Sequence, residues 1–151
     1  MNQELYRQFE MTRGFFLRSI SKITPDLVDI QPQGYNNTIH WHIGHVLTVT
    51  EQFLFGKSFA LPGNYVELFG NGSKPADWQG DVPSIEELIP QLEEQLLRIK
   101  EIPEEVLEQK LEKPFIGLET FRELANMSLF HESNHLGQLH SMELLLERTQ
   151  H

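Results

Sequence analysis

The chain has 151 residues, the size of one domain, taken to span residues 1–151. Its 22 acidic residues against 12 Lys and Arg leave a net charge of −10, which argues against a nucleic-acid partner or an anionic membrane surface. The chain has no cysteine, which excludes a disulfide scaffold, a thiolate metal site and a cysteine nucleophile, and fits a reducing compartment. Met1-Asn2-Gln3-Glu4 lacks the basic and apolar regions of a leader, and no stretch reaches the roughly 18 apolar residues of a membrane span, so the expectation is a soluble cytoplasmic protein.

From about residue 2 to 22, Leu5, Phe9, Thr12, Phe16 and Ile20 recur at helical spacing and predict an amphipathic first helix. Thr24-Pro25 suits a short helical turn, and Pro32 and Gly34 then break the chain. Asn37 or Thr38 caps a second helix that ends near Phe55, at Gly56. Residues 56–83 differ in character: they hold five of the ten glycines and three of the eight prolines, with Tyr65, Phe69 and Trp78 interspersed. The aromatics favour a packed loop, either a crossover between distant helix ends or the cover of a site. Ser84-Ile85-Glu86-Glu87 is a capping box that opens a third helix to about Ile102, with Pro90 expected to kink it. A short segment over 103–111 and a loop over 113–117 follow, and Thr120-Phe121-Arg122-Glu123 is a second capping box. It opens a fourth helix to about Arg148. The expected fold is all-α, a four-helix bundle with a long crossover loop between helices 2 and 3 and no strand.

The histidines are clustered. His40, His42 and His45 lie on the second helix, His131, His135 and His140 on the fourth, and only His151 stands apart. The seam of the fourth helix runs Phe121, Leu124, Ser128, His131, His135, Gln138, Met142, Leu145, apolar at both ends and polar in the middle. Polar groups in a bundle core are costly unless satisfied. Histidines four apart place two imidazoles on one helix face, which suits two ligands of one divalent ion. The second helix must supply a third. One seam there carries His45 and another His42, so periodicity leaves both open. His40 points about 140° from His45 and is expected to be solvated.

Asn37-Thr38-Ile39-His40-Trp41-His42-Ile43-Gly44-His45-Val46 resembles the second-helix motif of the DinB/YfiT-like family, in which a tryptophan precedes a metal-binding histidine by four residues. His131-Glu132-Ser133-Asn134-His135-Leu136-Gly137-Gln138 resembles that family's closing motif. The resemblance implies a bundle, often dimeric, with His45, His131 and His135 holding one divalent metal, zinc or nickel. His42 becomes a neighbour. His140 lies beyond the motif and is read as a rim residue, and Gln138, one turn past His135, is either a group that orients a ligand or bound water or an ordinary polar bundle position. It also implies an activity: transfer of a low-molecular-weight thiol, with bacillithiol as leading candidate, to small electrophiles. A cysteine-free chain would take that thiol from solution. A homodimer is expected, from the family and from the aromatic surface of the long loop.

Two other functions compete. One is a stress-associated metal-binding bundle without turnover. The other is a metal-dependent protease, because His131-Glu132-Ser133-Asn134-His135 satisfies H-E-x-x-H with Glu132 as general base. The longer metzincin pattern fails at Gln138 and Ser141. On the bundle reading Glu132 is a solvated charge or lies near the metal. Ligand histidines must be neutral, so a reference pKa near 6.5 predicts that metal is lost as the pH falls through about 6.

Overall fold

The computed structural model describes residues 2–149, with Asn2 described by its backbone alone; His151 lies outside them. The four expected long helices are α1 (Asn2–Lys22), α2 (Ile39–Phe55), α4 (Ile85–Lys100) and α6 (Phe121–Thr149). Their starts follow the capping signals. The Thr38 hydroxyl accepts from the Trp41 amide at 3.2 Å. Ser84 and Glu87 form a reciprocal capping box. The Glu123 carboxylate accepts from the Thr120 amide at 2.8 Å, while the Thr120 hydroxyl accepts from the Glu123 amide at 3.2 Å. Helix α4 runs on through Pro90, which is exposed; the carbonyl that proline leaves without a donor belongs to the exposed Glu86.

Two apolar layers set the helix directions. One gathers Leu5 and Phe9 of α1, Leu54 of α2, Ile99 of α4, and Ala125 and Leu129 of α6. The other gathers Phe16 and Ile20, Ile39 and Ile43, Leu88 and Leu92, then Leu139 and Met142. So α1 and α6 run one way, and α2 and α4 the other. Each long helix packs chiefly on its parallel mate and on one antiparallel neighbour: the contacting pairs are α1–α6, α6–α2, α2–α4 and α4–α1. Because α2 and α4 are parallel neighbours, the chain must travel back along the bundle, about 25 Å for a helix of this length. Residues 56–83 make that crossover. They are not bare loop: α3 (Tyr65–Phe69) lies between two 3₁₀ turns, with Tyr65, Leu68 and Phe69 buried.

The all-α expectation needs one correction. After the short α5 (Glu104–Leu107), strands β1 (Lys110–Phe115) and β2 (Leu118–Thr120) pair antiparallel, where a loop was expected over 113–117. Nearly every residue of β1 is exposed, so it lacks the apolar alternation that marks a strand in sequence. The pair Phe115 and Leu118 closes on the two-residue turn Ile116-Gly117, with φ of 45° and 87°.

Between the apolar layers lies a charged one. Arg13 on α1 is fully buried and donates to both oxygens of the fully buried Glu132, at 2.6 and 3.0 Å. It also donates to the Leu92 carbonyl at 2.6 Å and to Gln95 Oε1 at 3.0 Å. Gln95 in turn donates to buried Glu51 at 2.8 Å, which Arg98 holds from the other side at 2.8 Å. Every charge has a partner of opposite sign, which is the condition for burying them.

Candidate metal centre

Helix α2 is enclosed by α3, α4 and α6, and 14 of its 17 residues are buried, so side chains on several of its faces reach neighbours. His45 meets α6, where His131 and His135 stand one turn apart. The Nε2 atoms of His45 and His131 are 3.1 Å apart, as are those of His131 and His135. One ligand atom from each ring lies within 4.8 Å of the others. His45 and His135 are buried and His131 is half-buried.

The surroundings decide where the protons sit. The Phe69 carbonyl accepts from His45 Nδ1 at 2.6 Å, and a carbonyl has no proton to give. The neutral ring therefore carries its hydrogen on Nδ1 and presents the Nε2 lone pair to the other two histidines. Trp41 stacks on His45, with ring centroids 4.2 Å apart and planes 16° apart. Trp41 Nε1 donates to the Ser73 hydroxyl at 2.9 Å, which donates to the Gly70 carbonyl at 2.7 Å. The crossover thus holds His45 by two routes. Gly44 makes this possible: a Cβ there would lie 2.3 Å from the Phe69 ring.

His135 is held by His42, Nδ1 to Nδ1 at 2.8 Å, which leaves its Nε2 turned to the triad. His131 Nδ1 is buried and has no hydrogen-bond partner among the described residues. Burial pushes His42, His45 and His131 down to about 4, with neighbouring histidines adding to it, although the Phe69 bond partly offsets the fall at His45. Burial, then the fields of His131, His45 and His42, takes His135 to about 2. All four rings are neutral at physiological pH.

Converging lone pairs repel one another unless a proton or a cation lies between them, and one shared proton cannot serve three nitrogens. A single ion can. Two nitrogens about 2.1 Å from one ion are about 3.0 Å apart at a right angle and about 3.4 Å apart at the tetrahedral angle. Two of the three separations, both 3.1 Å, fall in that interval, and the third pair lies within 4.8 Å. The donor set therefore fits a first-row divalent ion.

The remaining sequence candidates fall elsewhere. His40 is not solvated: it is 7% exposed, its Nδ1 lies 2.8 Å from Asp29 Oδ1 and its Nε2 2.7 Å from the Pro83 carbonyl. It clamps the start of α2 to both flanking connections. Glu132 is not a solvated charge either, since both its oxygens are taken by Arg13. Gln138 is half-buried and makes no hydrogen bond to the three histidines among the described residues; His42 occupies the supporting position instead. His140 is exposed, as a rim residue should be. Sequence reasoning missed Arg13, although a charge between Phe9 and Phe16 on an apolar stripe was the available signal. It also missed the Phe69 carbonyl, which no side-chain pattern could disclose.

A cavity of about 390 Å³ opens over the triad. Its floor includes His45 and His131, and its walls include Phe53, Met127 and the hairpin tip, Phe115 and Ile116.

Residues 8–139 match the family model of the DinB superfamily. In structure the chain is similar to a conserved protein from Enterococcus faecalis, known from a crystal structure, with a TM-score of 0.70 and 15% identity over 97% of this chain and 96% of that one. At that identity the likeness concerns the fold. No curated protein matches the chain.

Proposed function

The chain belongs to the DinB superfamily, and from that premise we propose that it holds one divalent metal ion, zinc or nickel, on His45, His131 and His135 and transfers a low-molecular-weight thiol to small electrophiles. The observation that carries the proposal is the convergence of three neutral imidazoles, two of which, His45 and His131, line an open cavity. An ion held by three neutral ligands keeps its full charge and an open position, and there it acidifies a thiol or water.

The chain's own residues perform the rest. The Phe69 carbonyl and Trp41 orient His45, and His42 orients His135, so the three lone pairs are aimed before any ion arrives. The apolar walls, Phe53, Met127, Phe115 and Ile116, offer the electrophile a surface to pack against. In the reaction the thiol sulfur forms a bond to carbon, the carbon–leaving-group bond breaks, and the thiol proton departs with the leaving group. The thiol comes from solution, because the chain has no cysteine of its own, and a bacillithiol-type thiol is the favoured donor on family grounds.

The protease reading loses its general base. Glu132 is fully buried, does not line the cavity and has both oxygens bound by Arg13, and moving it would strip buried Arg13 of its counter-ion. The homodimer remains part of the proposal on family grounds alone. The loop aromatics offered for it serve the chain's own core: Tyr65 and Phe69 are buried, and Trp78 packs against it. Light scattering giving a mass near 17.6 kDa at micromolar concentration would reject the dimer.

The test begins with metal analysis of untagged protein purified without chelators, where one equivalent per chain is expected. In the Co²⁺ form, a small thiol should change the visible spectrum and add faster to a halonitroarene. The His135→Ala variant should lose both effects. If the metal is present but no thiol, bacillithiol included, has either effect, the ion only stabilises the bundle.

A further inference from the structure

The β-hairpin tip carries a conflict between local and global structure. Ile116 has φ of 45°, in the left-handed region, and is followed by Gly117 at 87°. A two-residue hairpin turn with both φ positive favours Asn-Gly. A β-branched residue is disfavoured there, because its Cβ crowds the following carbonyl. Core packing does not offset that cost, because Ile116 is 69% exposed. Phe115 beside it is also exposed. An asparagine would serve the turn better, so the fold alone does not account for isoleucine.

The cavity does. Phe115 and Ile116 wall the same 390 Å³ space that has His45 and His131 on its floor. Phe53 links the two ends, with its ring 5.4 Å from Phe115 and 6.3 Å from His131. Val49 and Met127 extend the apolar wall, and among the described residues Gln52 and Asn71 provide its side-chain amides. No Asp, Glu, Lys or Arg lines it, although 23% of the chain is charged. An ionic ligand would find no countercharge there besides whatever the triad holds.

We propose that the hairpin tip is the substrate-selecting wall of this site, and that Ile116 and Phe115 hold the apolar body of a small uncharged molecule above His45 and His131. This deepens the proposed function by naming the substrate class: neutral and apolar rather than anionic. Ile116 determines specificity and takes no part in bond making.

The experiment is a fluorescence titration with N-phenyl-1-naphthylamine, which is neutral, and with its sulfonated analogue 1-anilinonaphthalene-8-sulfonate, each on metal-loaded and chelator-treated protein. The neutral probe should bind one per chain, at least tenfold more tightly than the anion. Ile116→Asn should weaken it about tenfold, the loss of one apolar contact surface, while raising the melting temperature because the turn strain is relieved. Phe115→Ala should weaken it similarly, and Phe130→Ser, which alters an exposed apolar side chain outside the cavity, should not. Equal binding of both probes, or a neutral-probe affinity indifferent to Ile116→Asn and Phe115→Ala, would overturn the proposal. Metal content is measured on the same samples. Hairpin-dependent binding to a protein that takes up no metal would sink the metal reading and leave this one standing, and the reverse result would do the opposite.

Discussion

Helices α2 and α6 supply the same three histidines by different means. Of the 29 residues of α6, 10 are buried; of the 17 of α2, 14 are. An amphipathic helix writes its buried face into its sequence, because the other face must be polar. A helix enclosed on all sides has no such contrast, and its polar residues are placed by whatever partner each one finds. So α6 disclosed His131 and His135 through periodicity, whereas α2 left His42 and His45 equivalent until Phe69 and His135 were seen to receive them.

The largest expected effect tests whether the two helices contribute equally. His45→Ala on α2 should abolish stoichiometric metal as completely as His131→Ala or His135→Ala on α6, and His40→Ala should retain it. Full metal in His45→Ala with loss in His42→Ala would reverse the assignment on α2. Because the proposed ion would bind only the folded chain, chelation should lower the melting temperature, and an unchanged melt after verified removal would contradict the site.

Acid should act on both helices at once. The four rings are neutral in the folded chain down to about 4 or, for His135, about 2. In the unfolded chain they take up protons near 6.5. Their folded values are lowered, so they cost nothing above pH 6.5. As the pH falls from there to about 4 the unfolded state gains protons that the folded state refuses, and stability is lost across that window. Burial should move the loss of the proposed metal from near pH 6, the value the reference pKa implies, toward pH 4. A pH series of metal content and melting temperature checks both: metal should remain at pH 5, and release near pH 6 from still-folded protein would contradict the burial argument.

Next in size is the buried ion pair that ties α6 to α1. Arg13→Met leaves Glu132 charged and alone, and should cost about 3–5 kcal/mol in chemical denaturation. Glu132→Gln should be destabilising for the same reason. Retained stability with lost activity would instead make Glu132 a reacting group. His42→Ala should keep the metal but weaken it roughly 10- to 100-fold, since it removes only the group that orients His135; competition with a chelator of known affinity measures this.

The smallest effects contrast the glycines of the two motifs. Gly44→Ala drives a methyl into the Phe69 ring and should cost about 1–3 kcal/mol while loosening His45. Gly137 has open space around its Cβ position, so Gly137→Ala should stabilise by about 0.5–1 kcal/mol and leave the metal unchanged. Thermal melts of the pair, with metal analysis, would show whether only the α2 glycine serves the site.

The seam of α6 also shows where periodicity runs out. Alternating steps of three and four follow a period of 3.5, but a straight helix turns every 3.6 residues. Of the expected stripe, Leu124, Ser128, His135 and Met142 are buried, while beside His131, Gln138 and Leu145 the buried residue is the next one, Glu132, Leu139 and Leu146. The buried face is thus wider than the stripe by one residue at every second step, which leaves His131 and Gln138 at its edge.

Local chemistry alone determined the helix starts at Thr38, Ser84 and Thr120, the bundle class, and the pair His131 and His135. Each of these depends on residues within one or two turns of one another, and such spacing is visible in a linear string. Tertiary structure decided everything that depends on a partner distant in the chain. It paired Arg13 with Glu132, 119 residues away, and so turned an apparent general base into a structural ion. It folded the crossover back to aim His45, and it brought an exposed, unpatterned hairpin over the triad. A carbonyl or a strained isoleucine has no sequence signature of its own, because what it does is set by what stands opposite it.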